Sequence, residues 1–159
     1  MLISNINKKQ LSISIAIPII VGGLASLLNM KGFKEFQFVD KPSITPPTFL
    51  FPIVWTILYI LMGISAYLIF KSGEKGKTRA YLFYTMQLVM NFLWTCFFFG
   101  AKDYTAAFVA IVVLLVLVAG MIFSFYAVNK KSGYFQIPYL IWITFALFLN
   151  YLVLIMNKK

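Results

Sequence analysis

The sequence predicts an all-α integral membrane protein: a five-transmembrane-helix bundle with a long loop between helices 1 and 2, in a single domain covering residues 1–159. Three observations predict it. Hydrophobic residues make up 62% of the chain and the mean hydropathy is +0.90, far above the range of soluble domains. Apolar runs of about 20 residues recur five times, each long enough for a hydrocarbon core of about 30 Å. The 14 Lys and Arg and the 4 Asp and Glu all fall in the connections and tails between those runs.

The first helix is placed at about 11–29, after Lys8 and Lys9. A basic start before an apolar run also describes a cleaved signal peptide, but Leu11 to Leu28 is long for that purpose and similar segments follow. Gly22, Gly23 and Ser26 give it a small-residue face for close helix contact. The loop to Thr45 carries Phe33, Phe36, Phe38 and Val39 among Lys31, Lys34, Glu35, Asp40 and Lys41. Two readings of it stand: a lid folded over something, or interfacial anchoring by Phe and Lys.

The second helix is placed at about 47–70, with Pro46 and Pro47 at its first turn, where a missing N–H costs nothing. A turn rich in Gly and Lys leads to the third helix at about 80–99, and Gly100 to Asp103 ends it. The fourth, at about 104–128, is nearly all aliphatic, and the fifth runs over about 134–156. An odd number of spans puts the termini on opposite sides. Eight basic residues on the N-terminal side against six on the other lean towards a cytoplasmic N-terminus.

Composition narrows the function. A net charge of +10 in a soluble chain would suggest nucleic acid, but here the basic residues sit where lipid headgroups are met, and no nucleic-acid module is visible. Histidine is absent, which removes the commonest general base and metal ligand, and the single Cys96 forms neither a CxxC site nor an intrachain disulfide. No metal site is expected. With no ionisable group at membrane depth, ion-coupled transport has nothing to run on.

The spans do carry neutral polar and aromatic residues at helical spacing. Gln87, Asn91 and Trp94 share one stripe, Pro138, Trp142, Ala146 and Asn150 a second, and Trp55, Tyr59, Met62 and Ala66 a third. Amides in lipid must find partners, so the stripes are expected to face one another. At about 1.5 Å of rise per residue they fall in one half of the bilayer, where they are expected to line one cavity under the long loop. The structural alternatives stay open: Trp at helix ends serves as an interfacial belt, and amides staple helices. Trp94 fits belt, packing or ligand contact, and Gln87 fits a staple.

Together these residues resemble the TspO/MBR family of tryptophan-rich sensory and translocator proteins. The resemblance rests on Lys41-Pro42, Pro46-Pro47, Trp55, Leu58-Tyr59, Gly63 and Ala66. It continues through Gln87, Asn91 and Trp94 to Pro138-Tyr139, Trp142, Phe145-Ala146 and Asn150. It implies a homodimer in a bacterial cell membrane, binding porphyrins and similar flat apolar ligands with no cofactor required. The implied ligand contacts are Phe36, Pro46, Trp55, Tyr59, Asn91, Trp94, Trp142, Ala146 and Asn150. Lid bases such as Lys41 are placed to meet carboxylates. Phe36 stands where the family commonly has tyrosine, and Glu35 and Ile44 where it commonly has tryptophan, so the lid is poorer in indole. Without His, axial ligation of haem iron is not expected, and metal-free protoporphyrin is expected to bind at least as well. The resemblance also implies an alternative, light- and oxygen-dependent porphyrin breakdown with Trp55 and Trp142 as the catalytic residues.

Overall fold

The computed structural model describes residues 6–73 and 75–158. The charge counts above include Glu74 and Lys159, which lie outside this range. Among the described residues there is no strand, and five helical stretches are long and apolar enough to cross a membrane. They are α1 (Lys8–Leu28), α3 (Leu50–Lys71), α4 (Lys77–Thr95, continued by a wide π turn over Cys96–Gly100), α5 (Tyr104–Val128), and the pair α6 (Lys130–Tyr134) and α7 (Ile137–Met156). The basic residues at the span ends, Lys8, Lys9, Lys71, Lys77, Arg79, Lys130 and Lys131, occupy first or last turns, where lipid headgroups meet the helices.

Short polar side chains set where helices begin. Asn7 accepts from the Gln10 N–H (3.2 Å), Asp103 from the Ala106 N–H (2.9 Å) and Asn129 from the Ser132 N–H (3.2 Å), each satisfying one of the orphan donors of a first turn. The second span begins at Leu50 rather than at Pro47. Pro46 and Pro47 precede the helix because a residue before proline is pushed out of the α region, and the chain turns there through the Leu50 N–H to Pro47 carbonyl bond (2.9 Å). Pro52 is the proline that sits within the first turn, where its missing N–H is harmless.

The first connection is not an open loop. Met30–Glu35 forms a short helix, α2, followed by a single 3₁₀ turn over Phe36–Phe38. Gly32 lets α2 lie directly on the π turn, since a Cβ there would run into the Phe99 carbonyl. Phe33 then stacks on Phe99 with ring centroids 3.8 Å apart, and Phe36 is buried against Phe98 and Phe99. Phe38 points away and is exposed. Phe33 and Phe36 thus fold inward, as a lid would, and Phe38 is left at the surface.

α4 packs on α5, α5 on α7, and α1 on α3, where the Gly63 backbone meets that of Ile15. Buried polar residues tie the bundle together. Gln136 donates to the Ser65 hydroxyl (2.6 Å) and Leu61 carbonyl (3.2 Å), Ser132 to the Ser65 carbonyl (2.8 Å), and Tyr139 to Gln87 Oε1 (2.9 Å). Such bonds replace water that the bilayer core cannot supply. Two small residues serve packing within the chain: Gly22 lies under the Tyr59 ring, and Ala110 is buried in the bundle.

Candidate functional site

The π turn shapes the site. At 3.6 residues per turn two neighbours cannot easily share one face, but the extra residue in Cys96–Gly100 widens the turn, and both Phe98 and Phe99 are buried. The turn closes through the Ala101 N–H to the Cys96 carbonyl (2.8 Å), and Lys102 follows at φ 53°. That left-handed residue delivers the Lys102 ammonium to Glu35 at the end of α2. Lys31 stands 3.8 Å from the same carboxylate.

Between α1, α2, α3 and the end of α4 lies a cavity of about 420 Å³. Trp55 and Tyr59 form its inner wall, their rings stacked 5.5 Å apart, and Trp94 stands 6.3 Å from Trp55. Phe33, Phe36 and Phe99 form the roof, and Gly22, Ser26 and Leu27 of α1 the side that faces lipid. Lys34 is at the rim with an exposed ammonium. Size, aromatic walls and a few polar points suit a small apolar ligand. Behind Tyr59, Asn91 donates from Nδ2 to the tyrosine oxygen (3.3 Å), while its buried Oδ1 has no donor.

The ion pair between α2 and Lys102 is a latch on the roof. The Lys102 hydrogen bond holds the Glu35 carboxyl below the usual carboxylate range, and Glu35 in turn raises the Lys102 ammonium. A lowered carboxyl value contributes above its unfolded value, near 4, and is lost as pH falls through the folded value. A raised lysine contributes below its ordinary value and is lost only as pH rises through the folded one. The latch therefore holds through neutral pH and opens in acid. Glu35→Gln is expected to lower the amide-exchange protection factors across residues 30–38 at pH 7 to those of the parent in acid, with little change in melting temperature because the pair is exposed.

The TspO/MBR family model matches residues 14–156, which takes in most of the first span, the other four and the whole of this site. The chain belongs to the TspO/MBR family. It is 36% identical to the tryptophan-rich sensory protein of Cereibacter sphaeroides over 80% of either chain. It is 33% identical to the tryptophan-rich protein TspO of Chlorobaculum tepidum over 95% of this chain and 99% of the relative. The translocator protein of Sus scrofa is 33% identical over 84% of this chain and 82% of its own length. The protein is thus an integral membrane member of a family of sensory and translocator proteins.

In this TspO/MBR chain the residues singled out from sequence separate by position. Phe36, Trp55, Tyr59 and Trp94 surround the cavity. Asn91 lies one side chain behind it. Trp142 does not share it: its ring borders a shallow groove on the other side of α3, with Val54, Ile57 and Pro138, and meets the cavity only through Phe51, 6.0 Å away. Its indole N–H is buried without an acceptor. Ala146 is buried among packed helices, and Pro46 lies in the extended stretch before α3.

Asn150 is fully buried, accepting from Trp94 Nε1 (3.1 Å) and donating to the Tyr104 carbonyl (3.1 Å), so both ends of its amide staple α7 to α4 and α5. Asn150→Ala strands the Trp94 N–H and is expected to lower stability by about 1 to 2 kcal/mol, read as a lower melting temperature in detergent. Lys41 is spent locally: its ammonium donates to the carbonyls of Phe36 (3.0 Å) and Gln37 (2.9 Å), closing the 3₁₀ turn, and is not the base at the rim. That base is Lys34. Helical spacing could not single out Lys34, Phe51 or Phe99, because their placement depends on α2 and on the π turn.

Proposed function

We propose that this protein binds flat, apolar ligands of the porphyrin class, protoporphyrin before haem, in the cavity beneath α2. It would do so as a homodimer in a bacterial cell membrane with a cytoplasmic N-terminus, serving tetrapyrrole sensing or transport. The observation that carries the reading is the wall itself: Trp55, Tyr59 and Trp94 give a ring system faces to lie against, and Lys34 at the rim supplies charge for a carboxylate. Asn91 Oδ1 adds an unused acceptor behind Tyr59 for a donor that enters.

Tryptophan fluorescence tests it directly. Protoporphyrin titrated into protein in nanodiscs should quench the emission saturably, and Ser26→Phe, which fills the lipid-facing side of the cavity, should abolish saturation. Non-saturating quenching, or equal quenching in the variant, would remove the proposal.

A further inference from the structure

A second groove runs along α4 from Tyr81, near the opposite membrane face, to Leu93, and shares no residue with the first cavity. Its space is about 530 Å³. The floor is made by Ala66, Tyr84 and Leu88, all buried, and the lips by Ile17, Phe70 and Val89, all exposed. Tyr84 is the unusual feature. It is 5% exposed, it borders the groove, and its hydroxyl has no hydrogen-bond partner. A buried donor without an acceptor is costly, and in hydrocarbon no water supplies one.

A cation stands beside one lip of the groove. Lys77 donates to the carbonyl of Phe70 (2.8 Å) and its ammonium stands 5.8 Å from that ring, which places the charge directly above a lip. Lys71 and Arg79 stand in the neighbouring turns of α3 and α4, each over an aromatic ring of its own helix. α4 begins here at Gly76, which is glycine at φ 84° and supplies no side-chain cap, and its first turn holds no acidic residue. An uncapped N-terminus of a 19-residue helix beside lysine and arginine favours an anionic oxygen.

Seven residues of α4 separate Lys77 from Tyr84, about 10 Å along the axis. Helical tyrosines lean back towards the helix N-terminus, which brings the hydroxyl closer to the mouth than its Cα. Cation above, hydroxyl below and apolar trough between them follow the order of a phospholipid: phosphate, ester carbonyl, acyl chain. We propose that this groove is a binding site for one anionic phospholipid, its phosphate at Lys77 and the start of α4, an ester carbonyl accepting from the Tyr84 hydroxyl, and an acyl chain along Ala66 and Leu88.

Native mass spectrometry tests it on the full chain in mild detergent, with phosphatidylglycerol and phosphatidylcholine of identical chains as probes. The parent should retain one phosphatidylglycerol in preference to phosphatidylcholine. Tyr84→Phe should lower retention of both lipids about fivefold, the value of one hydrogen bond, and leave their ratio unchanged. Lys77→Gln should lower phosphatidylglycerol alone. Val89→Phe, on an exposed lip, should expel both while protoporphyrin quenching at the first cavity stays as in the parent, which keeps this test separate from the proposed function. Retention unmoved by Tyr84→Phe and Val89→Phe would overturn the site. So would a lipid-free parent in which Val89→Cys cross-links to a second copy, because the groove would then be a contact between protomers.

Discussion

Trp55→Ala is expected to weaken protoporphyrin binding about a hundredfold, or about 3 kcal/mol, whereas Trp142→Phe should change it by less than about threefold. The asymmetry follows from position. Trp55 presents its ring to the cavity, is stacked on Tyr59 and stands beside Trp94, so its loss removes the centre of the wall and loosens both neighbours. Trp142 lies behind Phe51, and its N–H has no partner to lose. Phenylalanine keeps the edge contact with Phe51 and relieves that N–H. Fluorescence titration in nanodiscs reads both variants. Comparable losses at the two positions would mean that the ligand displaces Phe51 and reaches the second tryptophan.

Why one tryptophan was legible from sequence and the other was not is a matter of rotation about the helix. The five spans could be read from apolar runs because bilayer thickness fixes their length and their charges must stay at the ends. Inward-facing amides could be read too, since Gln87, Asn91 and Asn150 had to find partners, and all three are buried. Depth places Trp55 and Trp142 in the same half of the bilayer, yet depth does not say on which side of α3 a ring emerges. That is decided by how α3 packs between α1 and α7, and there Phe51 intervenes. Two backbone devices were also out of reach of a periodic reading. The π turn shifts the phase of α4 just where Phe98 and Phe99 must both turn inward, and α2 depends on a glycine whose reason is the Phe99 carbonyl, 67 residues away in sequence. The consequence for function is direct: the roof comes from Phe33, Phe36 and Phe99 rather than from lid indoles, so the absence of tryptophan at Glu35 and Ile44 does not leave the cavity open.

That dependence makes Gly32 the most sensitive point of the lid. Gly32→Ala is expected to lower the melting temperature by about 5 to 10 °C and to raise the ligand dissociation rate about tenfold. A methyl group there meets the carbonyl of Phe99, which is backbone and cannot rotate away, so α2 must lift as a unit. Lifting it breaks the Phe33–Phe99 stack, worth about 1 kcal/mol, and uncovers Phe36, worth about 2 kcal/mol of burial. At about 2 to 4 °C per kcal/mol for a chain of this size, the loss reaches the stated range. Gly23→Ala is the control, because nothing lies within 4 Å of a Cβ at that position and alanine is the better helix former. It should leave dissociation unchanged and hold or raise the melting temperature. Should Gly32→Ala melt low but release ligand at the parent rate, α2 would be a structural brace, and the gate would have to lie on the lipid-facing side, between Ser26 and Leu27 of α1 and the wall of α3.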